Sequence, residues 1–215
     1  MVLPQAVFKA ILVPLGLRGW LWTQARIGRR AFPEGPIGDR LLDLTAPLHR
    51  FLSRRPDWAD RLLIATSAWI DLLGIFLVAL AIFGPSGRPL LGLLMLFALR
   101  QLCQGLCALP PPDGMIWRDP GVPSLLVTYR TASDLFFSGH TAIAVYGCIE
   151  LGHVGGPAAA LGGAVLAVVE ATTVLALRAH YTMDVFAGAV TALWVGTVAS
   201  ALAPGLDSFL ASMAR

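Results

Sequence analysis

Charge is what this 215-residue chain has least of: 13% of its residues are charged, where a soluble domain carries about a quarter. That scarcity excludes an ordinary soluble globular domain. Lysine is nearly absent, Lys9 being the one lysine among sixteen basic residues. With a net charge of +3 and no soluble basic domain, nothing here reads nucleic acid. Cysteine is scarce too. Cys103, Cys107 and Cys148 all lie inside apolar runs, so they imply no disulfide framework and serve as small packing residues. Also missing are the alternating segments of ~10 residues that mark a transmembrane β-barrel. What fills the space is hydrophobic: 56% of residues and a mean hydropathy of +0.71. Backbone exposed to lipid must pair within its own segment, so long unbroken apolar runs mean helices. The chain reads as one all-α integral membrane domain.

Six runs approach the ~20 apolar residues a bilayer crossing needs: 5–23, 61–83, 89–109, 136–153, 156–178 and 182–204. The first carries Lys9 and Arg18 and is interrupted by Pro14, Gly16 and Gly19. It is a span or an interfacial helix; no small-x-small cleavage site followed by a soluble domain argues for a signal peptide. Residues 24–60 are the one long polar segment. There Arg26, Arg29, Arg30, Arg40, Arg50, Arg54 and Arg55 face Glu34, Asp39, Asp43, Asp57 and Asp60. Pro33, Gly35 and Pro36 break it early, and Leu41, Leu42, Leu44, Leu48 and Phe51 then recur at near-helical spacing. That pattern predicts an amphipathic helix on the membrane surface, its arginines near anionic head groups. Gly84-Pro85-Ser86-Gly87 is a tight turn, Pro110-Pro111-Pro112 opens a loop over 110–134, and Gly152-His153-Val154-Gly155-Gly156-Pro157 reverses the chain. Six spans put both termini on one side of the membrane. The loops after spans one and three, and before span six, then share the other side.

Two runs at that second face carry ionisable groups: Asp134-Leu135-Phe136-Phe137-Ser138-Gly139-His140-Thr141 and Arg178-Ala179-His180-Tyr181-Thr182-Met183-Asp184. Ionisable side chains in a membrane segment are costly and point to a site. Ser138 is a favoured N-cap, and the free amides of a helix start suit a phosphate. A capped helix with an interfacial histidine is the plainer account of the first run, but the second run makes it a poor one. His180 and Asp184 are four apart, one face of a helix if the helix starts early enough, and a carboxylate beside an imidazole fixes its tautomer. A metal site would need about three protein ligands, and the Gly-x-Ser-x-Gly elbow of serine hydrolases is absent. Arg100 lies near the middle of its span, where its planar fork suits a phosphate; pairing with Asp71 or Glu170 is the structural alternative.

The two runs, as a pair and in this order, resemble the sphingomyelin synthase family of the type 2 phosphatidic acid phosphatase superfamily. That family carries an Asp before Ser-Gly-His-Thr and a later His-Tyr-Thr-x-Asp. The resemblance covers roughly 65–190. It implies that His180 attacks the phosphorus of a phospholipid to form a phosphohistidine, that Asp184 orients it, and that His140 protonates the leaving alcohol and later deprotonates the acceptor. Such catalysis splits one transfer into two easier steps, with proton transfer in each. Arg100, Asp71, Asp134, Ser138 and Tyr181 are the residues expected to contact substrate, with no metal and no cofactor. Cys107-Ala108-Leu109-Pro110-Pro111-Pro112 is similar to a family Thr-x-Leu-Pro-x-Pro run, with Cys for Thr. The phosphatases' Lys-x6-Arg-Pro motif is absent, and Thr173-Val174 stands where they have Ser-Arg, in keeping with the synthases. The expected reaction moves a phosphocholine- or phosphoethanolamine-type head group from a glycerophospholipid to a lipid alcohol such as ceramide or diacylglycerol. A phospholipase C or lipid phosphatase using water, and a non-catalytic lipid-binding protein, are the alternatives; a homo-oligomer is left open. The resemblance puts the active site on the exterior or lumenal face, whereas the arginine-rich segment, by the positive-inside rule, puts that face in the cytoplasm.

Overall fold

The chain's helices follow its apolar runs. In the computed structural model, which describes residues 3–29, 37–127, 129 and 135–213, they are α1 Leu3–Ile27, α2 Arg40–Leu44, α3 Ala46–Arg54, α4 Pro56–Phe83, α5 Arg88–Leu106, α6 Gly139–Ala176 and α7 Thr182–Met213. No strand occurs among the described residues. Four of these helices, α4 to α7, are long and apolar enough to cross a membrane. Arg30, Pro33, Glu34, Gly35, Pro36 and Asp134 lie outside the described residues.

α6 is two arms rather than one rod. Gly156 takes φ 73° and ψ −165°, a conformation that costs glycine little and other residues much, and Pro157 cannot donate the hydrogen bond that would continue the first arm. The arms then run back to back. The Cys148 thiol donates to Ala160 O at 3.2 Å, and a Cβ on Gly163 would fall 2.9 Å from Cys148 Cα. In an unbroken helix residues fifteen apart are separated by ~22 Å. The reversal therefore returns the chain to the end where α6 began.

The polar segment differs from the single surface helix its spacing suggested. α1 runs into it as far as Ile27, α4 starts within it at Pro56, and two short helices stand between them, parted at Thr45. Pro47 sits in the first turn of α3, where its missing N–H costs nothing. Leu41, Leu44, Leu48 and Phe51 are exposed, while Leu42, His49 and Leu52 are buried. His49 Nδ1 lies 3.0 Å from Ala176 O, which pins α3 to the second arm of α6. Burial holds the His49 pKa below its usual value, and the nearby Arg178 and Arg50 charges add to this against the Ala176 carbonyl.

α7 packs on α6 and α5, α4 on α6 and α5, and α1 on α4 and α5. The core is Ile70, Leu73, Leu77, Leu93, Leu96, Phe137, Tyr146 and Val195. The outer surface is just as apolar, with Leu72, Ile75, Val168, Val169, Leu193 and Trp194 exposed, as lipid-facing helices require. Several polar side chains inside the bundle are satisfied by one another. Glu170 accepts from the Thr66 hydroxyl. At the end away from the α6 start, Arg88 grips the fully buried Glu150 with two bonds, Nε–Oε1 2.9 Å and Nη2–Oε2 2.8 Å, and the Tyr146 hydroxyl lies 3.0 Å from Glu150 Oε1. Asp207 of α7 accepts from Gly87 N–H at 2.6 Å and from the Ser86 hydroxyl at 3.2 Å. These contacts fasten the α4–α5 turn to α6 and α7.

Breaking a buried ion pair from one side strands the other charge, at about 3–5 kcal/mol. Glu150→Ala should cost that much in detergent unfolding. The double variant Arg88→Met with Glu150→Leu should recover most of it, since apolar residues of similar volume commonly replace such a pair at little loss.

Candidate active site

The site is built where α6 and α7 begin. Ser138 caps α6, its Oγ accepting from Thr141 N–H at 3.3 Å, and its own N–H donates to Asp184 O at 3.0 Å. The start of one helix is thus bonded to the first turn of the other. Gly188 lets them close up: a Cβ there would lie 2.5 Å from Ser138 O. The consequence is proximity of the two histidines, whose ring centroids stand 6.4 Å apart.

The rings are held differently. His180 Nδ1 lies 3.0 Å from Leu135 O and 3.5 Å from Asp184 Oδ2. Two acceptors on that side require the proton on Nδ1, which leaves the Nε2 lone pair for chemistry. The nearer partner is the backbone carbonyl; Asp184 Oδ2 is also engaged by Tyr181 N–H at 2.8 Å. His140 is met edge-on by the Trp117 ring at 5.3 Å. Its Nε2 and Asp184 Oδ1 are buried with no hydrogen-bond partner among the described residues. Native interiors rarely leave such atoms unsatisfied, and a ligand group is one explanation.

Both rings line a cavity with Arg100, Trp117, Trp20, Phe97 and Leu135. Arg100 enters it across Gly139, where a Cβ would fall 2.8 Å from the guanidinium Nε. This is why the residue between Ser138 and His140 must be small. Arg100 Nη1 donates to Gln24 Oε1 at 3.2 Å. Asp71 and Glu170, the structural partners considered for Arg100, bond other groups. Asp71 accepts from Ser124 Oγ (3.0 Å), Leu125 N–H (2.8 Å) and Leu126 N–H (2.9 Å).

Of the expected site residues, then, His140, His180, Asp184 and Arg100 converge. Asp71 instead anchors the loop that carries Leu126 and Val127 into the cavity wall. The Ser138 hydroxyl is spent on its cap. Tyr181 packs with Leu42 and Leu175 and faces a separate surface pocket with Asp39, Asp113 and Arg178. Burial pushes its hydroxyl pKa up, with Asp184, Asp113 and Asp39 adding to it. Asp134 lies outside the described residues. No cluster among the described residues could hold a metal ion.

A family model described as AtPDCT1/2 matches residues 39–201, well over half of the chain. The chain belongs to the AtPDCT1/2 family. This is a plant family of phosphatidylcholine:diacylglycerol cholinephosphotransferases related to the sphingomyelin synthases. No curated protein and no solved structure matches the chain. The AtPDCT1/2 match takes in both histidine runs and Arg100, and begins at Asp39.

Sequence reading gave Asp39 no role beyond a surface charge. It caps α2 through Leu41 N–H (3.0 Å) and Leu42 N–H (3.3 Å). It also binds the first residue of α7, accepting from Thr182 N–H and from the Thr182 hydroxyl, both at 2.6 Å. One carboxylate therefore ties the surface segment to the helix that carries Asp184. Leu135, Trp117 and Gln24 were missed as well. A backbone carbonyl has no sequence signature, and a tryptophan in a loop or a glutamine at a helix end has many ordinary explanations.

Burial raises the Asp39 pKa, but the Thr182, Leu42 and Leu41 hydrogen bonds outweigh it and hold the group below its usual value. A depressed carboxylate pKa stabilises the fold above the unfolded-state value, and that contribution is lost as pH falls through the folded one. Lowering pH from about 5 to below about 3 should loosen the α7 start, read as faster amide exchange at Thr182, and Asp39→Asn should flatten the dependence. Separately, Gly139→Ala should displace Arg100 and cost about 10²-fold in turnover, the scale of a 1 Å misplacement, with helicity unchanged by circular dichroism.

Proposed function

We propose that this chain moves a phosphocholine head group between glycerolipids, with diacylglycerol as acceptor, through a phosphohistidine on His180. The observation that carries the reading is the unlike pair of histidines in one cavity with Arg100. One ring has its Nδ1 proton held by Leu135 O and faces Asp184; the other has a buried Nε2 with no partner among the described residues. The family's activity supplies the substrate class.

In the first half-reaction the His180 Nε2 lone pair attacks phosphorus. The bond to the glycerol oxygen breaks, and that oxygen takes a proton from His140. Asp184 and the Leu135 carbonyl stabilise the charge that develops on the His180 ring. In the second half-reaction the acceptor hydroxyl gives its proton to His140 and attacks phosphorus, and the P–N bond breaks. Arg100 holds the non-bridging oxygens throughout, joined by the free amides at the start of α6. Donor and acceptor are both glycerolipids, so leaving group and nucleophile are chemically alike and the reaction runs either way. Ceramide is a second acceptor to be tried. Water as acceptor would make the enzyme a phospholipase C. The bundle we propose for this chemistry makes six passes: α1, α4, α5, the two arms of α6, and α7.

Purified protein with head-group-labelled phosphatidylcholine should label added diacylglycerol; equal release of free phosphocholine with every acceptor would instead identify a hydrolase. General acid–base help is worth about 10² to 10⁴-fold, so His140→Ala should slow both halves. With a donor whose leaving group needs no proton, it should accumulate an acid-labile, base-stable protein label. His180→Ala should show no label. A label in His180→Ala and none in His140→Ala would reverse the roles, and turnover without label in any variant would exclude the covalent scheme.

A further inference from the structure

A second cavity adjoins the first. Its lining is wholly apolar and lies between α1 and α5, with Val13 and Gly16 on one wall and Leu90 and Leu94 on the other. Trp20 and Phe97 line both cavities and stand with ring centroids 5.9 Å apart, so they mark the junction. The two helices run parallel here. Gln24 meets Arg100, Trp20 meets Phe97, and Gly16 lies opposite Leu94. The groove therefore leads directly away from the histidines, along the helix axes. From Trp20 back to Val13 is seven residues, or ~10 Å of rise, against ~15 Å for one leaflet of hydrocarbon. Gly16 keeps it open, since a Cβ there would already touch Leu94 Cδ2 at 3.4 Å.

Resting on the reading that a phospholipid phosphate sits between Arg100 and the histidine pair, we infer that this groove holds an acyl chain of the donor lipid. Three observations converge on that occupant. The groove shares Trp20 and Phe97 with the cavity of the proposed phosphate position, so a chain lying in it runs beside the head group. It offers no polar partner, which excludes the head group itself. And Trp20 at the junction is buried with its indole N–H unpartnered among the described residues, a donor placed where chain gives way to ester and phosphate oxygens. Aromatic side chains with a polar tip suit such a boundary. Lipid tails are as apolar as the groove, so no hydrophobic gain drives the chain in. Fit to the walls decides, and bulk in the groove should discriminate by chain length. α1 lies wholly before residue 39, where the family match begins, so this wall is a feature of the present chain beyond the matched region.

The test narrows the groove from either side with Gly16→Trp and Leu94→Trp. Transfer from dipalmitoyl- and dihexanoyl-phosphatidylcholine is compared in the same mixed micelles. The ratio of kcat/KM for the long donor over the short one is independent of the fraction of protein that is folded. It should fall at least about tenfold in each variant, the equivalent of ~1.4 kcal/mol. A ratio unchanged in both overturns the proposal. If the wild type turns over neither donor, the transfer reading fails by itself. The groove is then judged by native mass spectrometry of dipalmitoyl-phosphatidylcholine retained after delipidation: retention by the wild type and loss in both variants supports it, and equal retention overturns it.

Discussion

Everything in the candidate site depends on one backbone hydrogen bond, Ser138 N–H to Asp184 O, and on the bare glycine that lets it form. It joins the start of α6, which carries His140, to the first turn of α7, which His180 precedes. With that bond in place, the Ser138 cap, the Leu135 carbonyl on His180 and the approach of Arg100 over Gly139 all follow from short-range geometry. Helix starts present unpaired amides, and the start of α6 is where we propose that a phosphate is held. The small residues at 139 and 188 thus serve the chemistry through distance alone, by letting charged and backbone groups come closer than a methyl would allow.

The fold was legible in sequence wherever hydrophobic length decided it. The apolar runs, the turn at Gly84-Pro85-Ser86-Gly87 and the reversal before Pro157 all follow from local rules about lipid, glycine and proline. The polar segment was harder. Leu41 to Phe51 has helical spacing, but Thr45 and Pro47 part it into two pieces, and spacing alone does not see a break that preserves the period. Within the site, His140, His180 and Asp184 were legible because their side chains and intervals are rare together. Arg100 was legible because a guanidinium in an apolar run demands a reason. Asp71 has the same peculiarity and a different use. A carboxylate satisfied by three donors from a loop reads, in sequence, just like one awaiting substrate. Asp39 and Leu135 were invisible for the opposite cause, since an aspartate in a polar segment is ordinary and a carbonyl belongs to every residue.

Polar groups are distributed at the two ends of the bundle for different purposes. Arg88, Glu150 and Tyr146 bond one another and Asp207 holds Ser86 and Gly87, and such sets fasten helices without inviting a ligand. At the other end His140 Nε2 and Asp184 Oδ1 are left over. Buried atoms of this kind are costly unless something outside the protein completes them. The contrast between a closed set and an open one marks the end of the bundle where we propose the chemistry takes place.

The reversal at Gly156 turns α6 into a ruler. His140 and His180 stand at the two ends of one hairpin, so their meeting depends on the arms being matched in length. An α-helix turns by ~100° and advances 1.5 Å per residue. Adding one residue to either arm would rotate the histidine at its end away from the cavity while leaving every apolar residue count nearly unchanged. Residues of the hairpin that face lipid are free to change among apolar types, but their number is not. Length variation in this protein is therefore barred between the two histidines.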